Sequence, residues 1–574
     1  MTARRRAPFV APVYSLLLAL LILGPLLGPG YLLLRDAVST PRSYLTDSAL
    51  GLTDAAARAV PQDALLATLS VVVDGGGLVV KAILLLALWA AGWGAARMVR
   101  TVLPTAGLGP QLVAATVTVW NPYVAERLLQ GHWSLLTGYA ALPWTVCAAV
   151  AIRRGDRRGW FALAACLAAA GLTPTGVLLA VVTAVAVLAL PGGRPAAWLR
   201  VTGALGLFVV ASAPWLAATA LAGGGGDGSD PAGVAAFAAR AEPGLATLGS
   251  LAGLGGVWNE TAVPDTRTTL FALVGTVLLL GVVLCGLPAL WRRRRHPAVG
   301  ALTALALVAV LLPTLGATAW GLDVGRWMVQ NVPGAGLLRD AQKWVALAAP
   351  LYALAAAAAV LRRPGTWSVS AVLVVLLALP DLAWGVGGAL RPVHYPPSWQ
   401  QVSAEVERDA NSGDVAVLPT GMFRKFSYSG SAPVLDPAPR MLPEDVLETG
   451  ELVVAGGTVT GEGSRAQQVE RVLLTGGSAA DLASLGVRWV LVERDTPGPR
   501  GESATTLAGL ERQFSDEHLE LYRVGGDVAR HEASDRARAT VIAAHVLWAL
   551  VLAGGLLGAG VLEARTRQRR RHQP

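Results

Sequence analysis

The sequence predicts a mainly α, polytopic transmembrane helix bundle that carries one extracytoplasmic α/β domain before its last span. Three observations lead there. Of the 574 residues 53% are hydrophobic and only 15% charged, with a mean hydropathy of +0.51, whereas soluble chains carry about 25% charged residues. Apolar runs of about 20 residues, the length that crosses a bilayer, recur along the chain. Charges become frequent again in one long stretch, 387–539. A soluble enzyme and a disordered protein are both excluded.

The first span follows Arg4-Arg5-Arg6 and runs to Leu34. It exceeds the roughly 7–15 residues of a secretory core and ends in Gly28-Pro29-Gly30-Tyr31 without a small-x-small cleavage site, so it is read as retained. Further spans are expected at 77–97, 104–120, 134–151, 160–172, 177–191, 201–221, 269–291, 298–318, 343–361, 367–386 and 540–562, about twelve in all. The bundle, with about eleven of them, occupies 1–386, and the last span with a basic tail occupies 540–574. Gly223–Gly226 reads as a flexible loop element.

The net charge of +9 could suggest a nucleic-acid partner, but the arginines lie in short clusters between apolar runs. Arg4–Arg6, Arg97/Arg100, Arg153/154/157/158, Arg194/Arg200, Arg292–Arg295, Arg362/Arg363 and Arg565–Arg571 fall on alternate connections, with Asp156 and Glu563 as their acids. That is the positive-inside pattern. It predicts a multi-pass protein of the cytoplasmic (plasma) membrane with both termini cytoplasmic, 387–539 outside, membrane lipids as partners and no nucleic acid. Cys147, Cys166 and Cys285 all fall inside apolar runs, and no CxxC occurs, which removes metal-thiolate and disulfide frameworks.

Within 387–539, β-type runs at Val415–Leu418, Trp489–Val492 and Leu519–Arg523 alternate with helical patterns at Ala466–Leu474 and Ala479–Leu485. About 150 residues suffice for one α/β domain with its own core.

Chemistry concentrates at the outer ends of the spans. Arg35-Asp36 closes the first: an aspartate there can act as general base toward an acceptor hydroxyl, and the arginine can meet a phosphate. The other reading is a pair of interfacial charges. The loop Trp120-Asn121-Pro122-Tyr123-Val124-Ala125-Glu126-Arg127-Leu128-Leu129-Gln130-Gly131-His132-Trp133 is predicted on the same face. Helical spacing puts Glu126 and Gln130 on one side with Arg127 beside them. An interfacial belt of Trp120, Tyr123 and Trp133 would explain the aromatics but not the Glu-Arg-Gln-His set. Asp36 and Glu126 are the pair that would share a divalent cation, Mg or Mn, through oxygen ligands.

In Leu337-Leu338-Arg339-Asp340-Ala341-Gln342-Lys343 two cations oppose the dipole of a predicted helix start, which an anionic lipid phosphate would relieve; snorkelling with an Arg339/Asp340 surface pair is the alternative. Trp258-Asn259-Glu260 and Asp265 belong to a long outer loop, a lid or a solvated segment. His296, His394 and His545 have no ligand-spaced partners.

An Asp just past the first span, Asn-Pro-Tyr-Val-x-Glu-Arg-Leu-Leu-Gln-Gly-His-Trp in the second outer loop and a later Leu-Arg-Asp-x-x-Lys resemble polytopic membrane glycosyltransferases of the GT-C type, in the neighbourhood of the bacterial arabinofuranosyltransferases. Val417-Leu418-Pro419, Leu435-Asp436-Pro437 and Leu485-Gly486-Val487-Arg488-Trp489-Val490 look like their outer domain. The resemblance implies a polyprenyl-phosphate-linked sugar donor and a cell-envelope glycan or glycolipid acceptor. By it Asp36 is the catalytic acid of the first outer loop and Glu126 the acidic residue of the second. Arg35, Arg127, Gln130, His132, Arg339, Asp340 and Lys343 then bind substrate, with Arg127, Arg339 and Lys343 at the lipid phosphate. The second loop holds a lone Glu126 rather than an Asp-x-Asp pair. The competing expectation is a non-catalytic protein, an envelope-assembly scaffold or a lipid or polymer transporter, whose outer domain binds glycan. A transporter would carry ionisable groups midway along its spans, whereas here they sit at span ends.

Overall fold

The computed structural model describes residues 3–571, apart from 54–56, 58, 74, 222–229, 410, 412, 455, 456, 460 and 462. Among the described residues six helices are long and apolar enough to cross a membrane. They are Phe9–Leu27, Gly76–Val102, Leu135–Arg153, Phe271–Trp291, Pro297–Gly316 and Asp535–Ala564. Two further pairs qualify if each is one bent span: Ala197–Ala211 with Ala213–Leu221, bent by 61°, and Thr366–Leu377 with Pro380–Gly388, bent by 77°. The chain is a multi-pass membrane protein. The loop element expected at Gly223–Gly226 lies outside the described residues, as do the side chains of Arg4–Arg6 and Arg565–Arg571.

Twelve full-length spans are not shown: four of the expected runs form shorter helices. The runs 104–120, 160–172, 177–191 and 343–361 form Leu108–Val119, Arg158–Ala170, Pro174–Leu188, and a 3₁₀ stretch Ala341–Ala348 leading into Ala349–Ala359. At 1.5 Å per residue none of these α-helices by itself reaches the roughly 30 Å of a hydrocarbon core. Local signals cut them short: Asn121-Pro122 ends the first, and Thr173-Pro174, with the Thr173 side chain accepting from Gly176 N, starts the third. Their apolar content reflects burial in protein rather than contact with lipid; every residue from Ala349 to Ala358 is buried. Hydropathy cannot separate the two environments. Close packing relies on small residues: a Cβ on Gly286 would stand 1.7 Å from the Ala355 carbonyl oxygen.

Later in the chain lies a five-stranded sheet, ordered Glu511–Ser515, Leu519–Arg523, Val487–Glu493, Asp414–Leu418, Val446–Leu447. Asp414–Leu418 runs parallel to both its neighbours, and the other two pairings are antiparallel. Val487–Glu493 is buried at every position, as a central strand covered on both faces must be. Ser464–Leu474 and Ala479–Ser484 cover one face through Val469, Leu473 and Leu482; Trp399, Val402 and Val406 of Ser398–Arg408 cover the other. The β and helical runs read in this stretch are these elements.

One short hairpin joins the sheet region to the bundle. Leu33–Leu34 pairs with Ala37–Val38. Alternation along a strand sends successive side chains to opposite faces. Leu32, Leu34 and Ala37 enter the bundle core, while Leu33 and Val38 enter the core beneath the sheet. Asp36 sits at the tip of this joint.

Candidate functional site

Register Leu34↔Ala37 leaves Arg35-Asp36 as a two-residue turn. Arg35 takes φ 48°, the left-handed region that tight hairpin turns use. Its side chain holds it there: Nη1 donates to the Leu129 carbonyl at 2.7 Å and Nη2 to that of Thr261. The turn rests on the helix Pro122–Gln130. Asp36 N–H donates to Gln130 O at 3.1 Å. A Cβ on Gly131 would lie 2.3 Å from Ala37 N and 2.5 Å from Leu34 O, and Gly131 has φ 85°. Position 131 therefore needs glycine both for its backbone and for the hairpin above it.

The helix is short because its sequence starts and stops it within nine residues. The Asn121 side chain accepts from Val124 N–H at 3.1 Å, Pro122 occupies the first turn, and Gly131 closes the end. All nine residues are buried. Trp120, Tyr123 and Trp133 are buried with them, so these aromatics are core, not a lipid-facing belt. The two sides read from the spacing are seen: Glu126 and Gln130 both meet the loop 255–261, while Arg127 turns toward His132 and Asp340.

A closed run of polar groups links the second and third candidate segments to the first. His132 Nε2 lies 2.9 Å from Asp36 Oδ2, which also accepts from Gln130 Nε2 at 3.2 Å. Arg127 Nη1 donates to His132 Nδ1 at 3.0 Å and to Asp340 Oδ2 at 2.9 Å. Arg127 Nη2 reaches Asp340 Oδ1 at 3.3 Å and Gln342 Oε1. Lys343 Nζ stands 3.4 Å from Asp340 Oδ2.

These contacts settle the imidazole. A guanidinium only donates, so Nδ1 must accept and the proton sits on Nε2, aimed at Asp36. Burial, joined by the Lys343 and Arg127 charges, holds His132 below its ordinary value despite Asp36. Burial raises Asp36, but bonds from His132 and Gln130 and the charge of Lys343 outweigh it and hold the carboxyl below the usual range. Asp340 is likewise depressed against burial by Arg127 and Lys343. Asp36 is thus an ionised carboxylate whose Oδ1 has no hydrogen bond among the described residues. Side-chain exposure of 29% at Asp36, 24% at Lys343 and 16% at His132, against 0% at Arg127, separates an accessible face from its buried support.

Glu126 belongs to the support. Its side chain is fully enclosed, with Gly256 N–H on Oε1 at 3.1 Å, and Val257 N–H and Gln342 Nε2 on Oε2 at 3.2 and 3.0 Å. Burial and then the Glu242 charge push it up to about 8, against Arg267 and Arg127. Among the described residues no side-chain hydrogen-bond partner of Glu126 is also one of Asp36. These three N–H donors take up the Glu126 oxygens, and among the described residues no group of three His, Cys, Asp or Glu is placed to hold a metal ion. Arg339 lies toward the segment 230–237, over the Phe237 ring at 5.6 Å, and donates to the Gly336 and Asp230 carbonyls.

Several members of the site carried no signal strong enough to single them out. Gln342 lies inside a motif read for its charges. Asn259 and Thr261 come from a loop that sequence reading leaves open between lid and solvent. The loop is held by a buried Arg267–Glu242 pair, against which a Cβ on Gly255 would collide at 2.8 Å. No periodicity marks the contacts of Gln342 with Glu126, Asn259 with Gln130 and Thr261 with Arg35, which arise between segments more than 100 residues apart.

No family model matches the sequence, and no curated protein does either. The fold does have solved counterparts. The cryo-EM structure of the arabinofuranosyltransferase AftD from mycobacteria superposes with a TM-score of 0.59 at 19% identity, covering 92% of this chain and 40% of that one. A single-substitution variant of AftD gives 0.57 at 19% identity over 92% of this chain and 42% of that one. A second class of the same variant gives 0.54 at 16%. The chain thus spans well under half the length of AftD. The likeness to arabinofuranosyltransferases that the outer-loop residues carry is matched in three dimensions: this multi-pass membrane protein has, over nearly its whole length, the fold of part of mycobacterial AftD.

Proposed function

We propose that the chain is a membrane glycosyltransferase of the GT-C type that works on the cell envelope. It takes a sugar from a polyprenyl-phosphate donor and adds it to a glycan or glycolipid at the outer face of the cytoplasmic membrane. The observation that supports this reading best is Asp36: ionised, with one open oxygen, beside the Lys343 ammonium. Asp36 Oδ1 accepts the proton of the acceptor hydroxyl as that oxygen bonds to the anomeric carbon. The bond from that carbon to the phosphate oxygen breaks with its electron pair leaving on the lipid phosphate, whose charge Lys343 meets. Arg127, which Asp340 already neutralises, keeps His132 in the tautomer that donates to Asp36, and Glu126 fixes the loop 255–257.

In this reading 1–386 is the catalytic bundle, 387–539 an outer α/β domain that frames the acceptor, and 540–574 the returning span with a cytoplasmic tail. The arginine clusters support that orientation. Purified protein given a series of polyprenyl-phosphate sugars and envelope acceptors is expected to form glycosylated acceptor. Absence of transfer from every donor would favour an envelope scaffold whose outer domain binds glycan.

A further inference from the structure

Gln130 can face Asp36 with either end of its amide. Nε2 toward the carboxylate stabilises the ionised form, whereas Oε1 opposes it. The choice is made further out, in the loop that covers the helix. Thr261 N–H donates to Asn259 Oδ1 at 3.1 Å, and the Thr261 hydroxyl stands 2.8 Å from the same oxygen. A backbone N–H can only donate, so Oδ1 of Asn259 is tied to Thr261. Its Nδ2 then faces Gln130 Oε1 and donates to it at 2.8 Å. Gln130, buried and with its oxygen taken, presents Nε2 to Asp36 at 3.2 Å. Arg35 secures the far end by donating to the Thr261 carbonyl.

We infer that Asn259 is a positioning residue, which transmits the polarity of the Thr261 main-chain N–H through Gln130 and so keeps Asp36 ready to accept a proton. The inference rests on Asp36 being the base. The charged and titratable groups that face Asp36 are Arg35 on its own hairpin, His132 after the helix, and Lys343 on the 3₁₀ stretch. Leucine at 259 adds no charge to this set, whereas aspartate there adds a carboxylate whose charge also raises Asp36, so the leucine variant separates the relay from the added charge.

Asn259→Asp reverses the relay. One carboxylate oxygen still accepts from Thr261 N–H; the other calls Gln130 Nε2 outward and turns Oε1 toward Asp36. Losing one hydrogen bond to a charged group corresponds to about one to two pH units. The acidic limb of the transfer rate should rise by that much over wild type, with the rate at higher pH largely retained. Asn259→Leu, which leaves Gln130 free to choose, should move it by about half a unit. An unmoved limb in either variant, or an equal pH-independent loss in both, overturns the inference while leaving Asp36 as the base. If Asn259→Asp does not fold, Asn259→Leu carries the test and an unmoved limb overturns it. If the wild type transfers nothing, the proposed function fails by itself. The relay is then judged from the carboxyl infrared titration of folded protein, taken as wild type minus Asp36→Asn; the same upward shift is expected in Asn259→Asp, and coincident titrations overturn it.

Discussion

Asp36→Asn puts the proposed chemistry to its most direct test. Oδ2 of Asp36 accepts from both His132 Nε2–H and Gln130 Nε2–H. An asparagine must therefore place its single oxygen where Oδ2 stood. Its NH₂ then occupies the open position of Oδ1 and points a donor at the acceptor hydroxyl. The general base is lost, and a donor stands in its place. General bases contribute typically about 10²–10⁴-fold, so the rate should fall by at least about two orders of magnitude. Two hydrogen bonds also lose their charged partner, a stability cost of about 1–2 kcal/mol. The size of that cost depends on pH. Because the folded carboxyl is depressed, its stabilising contribution is present above the unfolded value of about 3.9 and fades as pH falls through the folded value. The variant should thus lose about one to two degrees in thermal unfolding at neutral pH and nothing in strong acid. The assay is the initial rate of lipid-linked sugar transfer by purified protein, with folding checked by thermal unfolding in the same detergent. A variant that transfers within threefold of wild type would refute Asp36 as the base.

Asp340→Asn leaves the fully buried Arg127 without its counter-charge; thermal or denaturant unfolding should register a loss of about 3–5 kcal/mol, and a loss below 1 kcal/mol would show that Arg127 finds another partner. Lys343→Gln should weaken binding of the lipid phosphate, and added salt should narrow the gap from wild type because the ammonium is partly solvated; equal donor affinity would return Lys343 to a purely structural pairing with Asp340. Cysteine at the exposed Ser464 should react with an impermeant thiol reagent in intact cells; labelling only after lysis would place the sheet region in the cytoplasm and reverse the orientation.

Composition and short-range pattern were enough for the membrane class, for most of the long helices, and for the strands and helices around the sheet, because each depends on runs of ten to twenty neighbouring residues. The three segments that supply Asp36, the Glu126–His132 set and Asp340–Lys343 were also legible, since polar residues at the ends of apolar runs stand out against so few charges. Span length was not: the runs that form Leu108–Val119 and Ala349–Ala359 look in sequence like lipid-facing spans, and only the packing around them shows how much of their apolar surface protein takes up. Division of labour within the site was equally hidden. Arg127 and Lys343 are both cations beside an acid, yet Asp340 and Gln342 enclose the first while the second keeps a partly open ammonium. Glu126 and Asp36 are both carboxylates near helix ends, but Gly256 and Val257 N–H seal one, and the other keeps an oxygen with no hydrogen bond among the described residues. Burial and hydrogen-bond direction are properties of what folds back against a side chain, and here that comes from segments 94 to 216 residues away. The sequence by itself determined which groups are present at the ends of the helices; only the tertiary structure decided which of them stay accessible and which hold the others in place.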